Sequence, residues 1–88
     1  MPQWDTEGSP VRKVAILRRT RAETGETWFY SLVVERDLFG KVVLVRNWGR
    51  MGTRGRQIVQ EHPTEDEAVK AMNSVAEKQR RRRAYSDL

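Results

Sequence analysis

The residues most able to do chemistry in this 88-residue chain lie together in the segment 46–56. The segment holds one tryptophan among arginines and glycines: Trp48 with Arg46, Arg50, Arg54, Arg56, Gly49, Gly52 and Gly55. A tryptophan ring can stack on a base or a sugar, and the arginine fork binds phosphate oxygens. Trp48 and Arg50 project from the same face of an extended strand, because side chains alternate along it. The segment therefore predicts a nucleic-acid-binding site of Trp48, Gly49 and Arg50, with Arg46, Arg54 and Arg56 in support.

The distribution of charge favours the same interpretation. The chain has 17 basic and 12 acidic residues, and 13 of the basic residues are arginine. Residues 38–60 contain five basic side chains and no acid, whereas residues 61–77 are acidic and residues 78–88 are basic again. Localised basic segments predict that a polyanion binds at one surface. The run Arg80 to Arg83 is interpreted equally well as a second phosphate contact or as a solvated helix end.

Other interpretations of these residues remain open. Tryptophan is usually buried, so Trp48 can also be a core residue with arginines that merely flank it, and Trp28 is expected in the core. The same basic surface could bind an acidic protein partner instead of a nucleic acid. A membrane surface is a weaker alternative, because the basic residues of the predicted helix cluster at one end.

Catalytic chemistry lacks its usual residues. The chain has no cysteine, which excludes disulfides, thiol nucleophiles and thiolate zinc sites. Its one histidine, His62, precedes Pro63 and is expected to be a polar loop residue. The acidic residues 65–67 are explained by helix capping. We therefore predict no enzyme activity, no metal and no cofactor.

Alternating and β-branched residues predict four strands, at 12–19, 27–35, 41–48 and 56–61. Asp37 and Gly40 are typical of a tight turn between the second and third strands. Thr64 with Glu67 forms a capping box that begins a helix. One face of this helix is apolar at helical spacing: Ala68, Val69, Met72, Val75, Ala76 and Gln79. The fold class is α+β, a small antiparallel sheet of about four strands with one C-terminal helix packed on one face.

The ends of the chain carry less information. Residues 1–10, which include Trp4, are expected to be a flexible lead-in, and residues 11–86 to be a single domain. The first residues resemble no signal peptide, and the sequence has no run of apolar residues long enough to cross a membrane. A cytoplasmic protein is the expectation.

The order of these motifs resembles the signature of the WGR domain family. Trp48-Gly49-Arg50 carries the resemblance, and the glycine- and arginine-rich residues 51–56 follow it. Further similarities are an aromatic strand, an acidic helix start and a basic C-terminus: Phe29-Tyr30 with Leu32, residues 65–68, and Lys78 with Ala84-Tyr85. The resemblance covers about residues 27–86, most of the chain.

The resemblance implies a sheet flanked by a helix that binds DNA at a break, as in the DNA-dependent poly(ADP-ribose) polymerases. It implies that Trp48 stacks on a sugar near a 5′ end and that Arg50 contacts the end and relays its occupancy. The family also occurs alone or with other modules in bacterial proteins. Three positions differ from the polymerase pattern: Thr27-Trp28 replaces a frequent Asn-Lys, and Ala84 stands where glycine is commoner. DNA is accordingly the expected partner, ahead of RNA.

Overall fold

A computed structural model describes residues 13–88, and the predicted lead-in 1–10 with Trp4 lies outside the described residues. Within this range the chain forms five strands and one helix: β1 Lys13–Thr20, β2 Thr27–Arg36, β3 Val42–Arg50, β4 Arg56–His62, α1 Glu65–Arg82 and β5 Ser86–Asp87. The predicted α+β class is confirmed. Strand β5 was not predicted, because two residues are too short to show a sequence pattern.

The five strands form one antiparallel sheet in the order β4-β3-β2-β1-β5. The turn between β2 and β3 is built by Asp37, whose carboxylate accepts the backbone N–H groups of Phe39 and Lys41, both at 2.9 Å. Gly40 completes this turn with a φ of +80°, in the left-handed region that glycine favours. The predicted turn is therefore confirmed, and it fixes the register of the central hairpin.

The helix covers one face of the sheet. Thr64 caps it by accepting the N–H of Glu67 at 3.2 Å. Alternate residues of the strands and every fourth residue of the helix meet in a buried core: Leu17, Leu32, Val34, Leu44, Ala68, Met72 and Ala76. Since each buried leucine contributes about 1.5–3 kcal/mol, this contact holds the helix in place. Within residues 13–88 no helix combines the length and the apolar character that crossing a membrane requires.

The C-terminal residues turn back across the edge of the sheet. The N–H of Tyr85 donates to the carbonyl of Gln79 at 3.1 Å, and Leu88 donates to Ile16 at 2.9 Å. Asp87 binds Arg80 through both carboxylate oxygens, at 2.6 and 3.1 Å. This pairing lowers the pKa of the Asp87 carboxyl and raises the pKa of Arg80. The tail is therefore held at several points and places the Tyr85 ring beside the sheet.

Ala84 makes this reversal in a left-handed conformation, with a φ of +57°. The conformation strains any residue with a Cβ atom by about 1–2 kcal/mol, whereas glycine adopts it freely. The structure thus gives a physical reason for the glycine that the family commonly has at this position.

We expect Ala84→Gly to stabilise the protein by about 0.5–1 kcal/mol, because relief of this strain outweighs the added freedom of the unfolded chain. Urea denaturation measures the change. Ala71→Gly is the matched control, since Ala71 lies inside α1 and the same replacement there should destabilise by about 1 kcal/mol. A loss of stability in Ala84→Gly would contradict the strain argument.

Candidate nucleic-acid interface

The predicted pair Trp48 and Arg50 lies at the end of β3, and both residues are on the sheet face that α1 covers. Trp48 is the cross-strand partner of Tyr30, and Arg50 is the partner of Trp28. The strand alternation that places them together continues into β1, where Arg19 is the partner of Trp28. At one end of this face, Arg19, Trp28 and Arg50 therefore lie side by side across three strands. Tyr30 and Trp48 form the next such row along the strands.

Trp48 packs on Tyr30. The two rings are nearly parallel, with centroids 5.5 Å apart and an interplanar angle of 10°. Such an offset stack contributes about 0.5–1.5 kcal/mol beyond the burial of surface. Tyr85 meets the other side of this arrangement, edge-on to Tyr30 at 6.1 Å. Trp48 is half-buried, so it combines a contact to the core with a surface that a ligand can reach.

Arg46 contacts both rings of the aromatic pair, Tyr30 and Trp48. Its Nε and Nη2 groups donate to the Tyr30 hydroxyl at 3.0 and 2.7 Å. Its guanidinium also lies 5.9 Å from the Tyr30 ring centroid and 5.7 Å from that of Trp48, within the range of cation–π attraction. Arg46 therefore orients the two rings and leaves its three remaining N–H donors, two of them on Nη1, for a ligand.

These aromatic rings form the wall of a cavity of about 340 Å³. Four aromatic residues, three arginines and one glutamine line it: Trp28, Tyr30, Trp48, Tyr85, Arg19, Arg46, Arg83 and Gln79. No acidic residue of the described range lines this cavity. Burial raises the pKa of the Tyr85 hydroxyl, which keeps the hydroxyl protonated and able to donate. The cavity can accept a flat or sugar-like group that carries negative charge.

Arg50 already has a partner within the chain. Its Nη1 group lies 3.0 Å from the Glu26 carboxylate, which belongs to the turn between β1 and β2. This hydrogen bond lowers the pKa of Glu26, which favours the ionised pair. A phosphate that binds Arg50 must therefore compete with Glu26, a competitor that the sequence pattern did not reveal.

Arg54 and Arg56 are exposed, and neither forms an ion pair with another residue of the range 13–88. Arg56 is the cross-strand partner of Trp48. Arg54 lies in the loop 51–55, which Thr53 ties to the carbonyl of Arg50 through its hydroxyl at 2.7 Å. Arg54 in the loop and Arg56 at the start of β4 therefore present two available guanidinium groups near the end of β3 that holds Trp48.

Gly49 and Gly55 allow this loop to pack against the end of β3. A Cβ atom on Gly49 would lie 2.7 Å from the Cα of Gly55, and one on Gly55 would overlap the carbonyl oxygen of Trp48. Gly55 also has a φ of +73°. The sequence places Gly49 in the predicted binding site, where a glycine lets the backbone approach a ligand or turn sharply. In the structure Gly49 meets the backbone of its own chain, and it positions Trp48 and Arg50 from there.

The run at the end of α1 divides into residues with different roles. Arg80 is bound to Asp87, and Arg81 is 3.0 Å from Glu77 on the helix surface. Arg83 instead lines the aromatic cavity, and its carbonyl accepts the Arg19 Nη1 group at 3.2 Å. Of this run only Arg83 lines the cavity, so a phosphate contact stays a prediction for Arg83.

Sequence reasoning missed several residues of the site. Arg19 lies in a stretch whose net charge is zero, so segment sums concealed it, although its spacing from Leu17 places both on one face. Trp28 was expected in the core but lines the cavity, with its indole nitrogen buried and without an acceptor in the range 13–88. His62 lies outside this site, and residues 13–88 contain no His, Asp and Glu cluster suited to a metal ion.

A small antiparallel sheet with one helix, whose open end joins stacked aromatic rings to unpaired arginines, is the architecture of a nucleic-acid-binding module. The WGR domain model matches residues 13–88, and the chain belongs to the WGR domain family, a family of nucleic-acid-binding modules. The resemblance noted in the sequence is thereby confirmed. The matched family is not a catalytic one.

The chain is also similar to the uncharacterized protein y4dW of Sinorhizobium fredii (strain NBRC 101917 / NGR234). The two are 37% identical over 57 residues, which are 65% of this chain and 28% of that protein. The similarity therefore covers less than a third of the length of this relative.

The glycine contact can be tested by comparing two substitutions with the same backbone strain. Gly55→Ala and Gly25→Ala both place a Cβ atom at a φ above +70°, but only at Gly55 does it meet other atoms. We expect Gly25→Ala to destabilise by about 1–2 kcal/mol and Gly55→Ala by clearly more. Thermal unfolding and Trp48 fluorescence measure this, and equal effects would show that the close packing is unimportant.

Proposed function

We propose that this chain is a non-enzymatic module that binds DNA at strand ends or breaks. Trp48 stacks on a terminal sugar or base, while Arg50, Arg54 and Arg56 contact phosphates. The observation that carries the proposal is the aromatic cavity around Trp48, whose described lining contains Arg19, Arg46 and Arg83 and no acidic side chain. Stacking platforms beside cationic grooves are how proteins bind exposed nucleotides, since every base and sugar offers a face for contact.

The geometry supports binding at an end in particular. The cavity opens beside a folded helix and a C-terminal tail, so a continuous duplex could not thread through it. A terminal nucleotide can enter the cavity while the adjoining backbone lies along the loop with Arg54 and Arg56. Phosphate contacts then fix the position of the strand, and stacking recognises that a nucleotide is accessible.

An acidic protein partner is the second candidate, and one observation favours it. Glu26 binds Arg50 at 3.0 Å, so a carboxylate already occupies the position proposed for a phosphate. A partner with a flexible acidic segment could replace Glu26 in the same way. Binding to an acidic protein that persists after nuclease treatment and is unchanged by added DNA would favour this candidate.

The deciding experiment is a titration against blunt duplex, nicked duplex and closed circular DNA at two salt concentrations. The duplex with 5′-phosphorylated ends should bind most tightly, and the closed circle most weakly. The three phosphate contacts of Arg50, Arg54 and Arg56 contribute about −3 to the slope of log affinity against log salt. Equal binding to circle and ends would remove the proposed end recognition, and a flat salt response would remove nucleic-acid binding itself.

We expect Glu26→Gln to tighten DNA binding severalfold, because phosphate no longer competes with a carboxylate for Arg50. Fluorescence anisotropy with an end-labelled duplex measures the change. The matched control is Glu61→Gln, which removes the same charge but leaves Arg50 paired, since Glu61 binds Lys41. If both variants bind more tightly by the same factor, the effect reflects net charge and not the ion pair with Arg50.

Trp48→Ala should weaken DNA binding by about 1–3 kcal/mol, the value of one stacked base. Because Trp48 also packs on Tyr30, circular dichroism must show that the variant remains folded. Phe39→Ala is the control, since Phe39 is 85% exposed in the turn between β2 and β3, far from the cavity. Unchanged affinity in a folded Trp48→Ala protein would place the DNA elsewhere.

A further inference from the structure

A second basic groove lies at the end of β1, on the other side of the C-terminal tail from the aromatic cavity. Its volume is about 500 Å³. Residues from the end of β1, the following turn and the tail line it: Arg18, Arg19, Thr20, Arg21, Ala22, Glu23, Ala84, Ser86 and Asp87. Three arginines thus meet in one groove that the charge analysis of the sequence did not single out.

The acidic residues of this groove do not neutralise it. Asp87 is held by Arg80 through two hydrogen bonds, so its charge is already balanced from outside the groove. Glu23 forms no ion pair with the groove arginines. Arg18 and Arg21 are exposed, and neither has a carboxylate of residues 13–88 within ion-pair distance. The groove therefore keeps an excess of positive charge.

Arg19 connects this groove to the aromatic cavity, because its side chain lines both. It is fixed there by its hydrogen bond to the Arg83 carbonyl and by its position 5.5 Å from the Tyr85 ring centroid. Arg19 also shares a cross-strand row with Trp28 and Arg50. Two strand spacings, about 9.5 Å, separate β1 from β3. One bound nucleic acid can therefore contact both Arg19 on β1 and Arg50 on β3.

Neither of the two exposed arginines forms an ion pair within residues 13–88, and only a longer-range attraction joins Arg21 to Glu26. Arg18 projects from the helix-free face and Arg21 from the turn, and their backbone atoms alone take part in the sheet and the turn. Exposed arginines of this kind contribute little to stability. Their placement at the mouth of a groove that continues from a nucleotide-sized cavity points to a ligand with successive negative charges.

We propose that Arg18 and Arg21 form a second phosphate-binding subsite, which holds the complementary strand of a DNA end whose terminal nucleotide occupies the aromatic cavity. The subsite rests on the proposed function, because its ligand is the backbone of the same bound duplex. The duplex then contacts the domain on two sides of the Trp48 cavity, with Arg54 and Arg56 on one side and Arg18 and Arg21 on the other.

The test compares the salt dependence of binding in two double variants of the whole chain. Arg18→Gln with Arg21→Gln removes the proposed subsite. Lys13→Gln with Lys70→Gln removes the same charge elsewhere, since Lys13 begins β1 at the end away from Arg18, Lys70 is exposed on α1, and neither forms an ion pair within residues 13–88. The probe is a 5′-phosphorylated blunt duplex titrated from low to high salt, and each lost phosphate contact should make the slope shallower by about 0.9.

We expect the first variant to lose close to two contacts and the control to keep the slope of the unaltered protein. Equal slopes in both variants would overturn the subsite while leaving the proposed function standing. If the unaltered protein shows no salt-dependent DNA binding, both fall together. Matching thermal transitions establish that the variants are folded, which the exposure of Arg18 and Arg21 leads us to expect.

Discussion

The register between β2 and β3 is the constraint on which the rest of this structure depends. It places Tyr30 opposite Trp48 and Trp28 opposite Arg50, on the face that the helix covers. A shift of β3 by one residue against β2 would turn Trp48, Arg50 and Leu44 to the other face, away from Tyr30 and the helix. The Asp37 turn sets this register locally, and the buried leucines set it globally. The functional surface and the hydrophobic core are therefore aligned by the same pairing.

The arginines show how one residue type serves opposite purposes. Arg46 and Arg80 use their hydrogen bonds within the protein, on Tyr30 and Asp87, and so position an aromatic wall of the cavity. Arg54 and Arg56 keep theirs available to solvent. Arg50 stands between these cases, because Glu26 holds it in place and a ligand must displace that carboxylate. The four arginines of segment 46–56 consequently overstate the positive charge that a bound polyanion encounters there, because Glu26 neutralises Arg50. The zero net charge of residues 1–37 understates the positive charge near Arg19.

Much of the fold could be predicted because its signals are local. The alternation in 27–35, the Asp37 turn and the Thr64 cap each depend on neighbouring residues, and the structure confirms them. Strand β5 could not be predicted, since its pairing with β1 depends on where the helix ends. The close packing of Gly49 on Gly55 could not be predicted, because the sequence does not show which backbone atoms meet across the loop 51–55. Arg19 and Glu26 were missed for the same reason, since their partners are distant in the chain.

The sequence by itself determined the fold class, the family and the presence of a tryptophan and arginine motif, because periodicity and motif order are properties of neighbouring residues. The tertiary structure alone decided which arginines are available, since an ion pair such as Glu26 with Arg50 joins residues from separate turns. It also decided that Trp28, Arg83 and Tyr85 share one cavity with Trp48. Sheet pairing and the return of the C-terminal tail bring these side chains together, and both depend on packing across the whole domain.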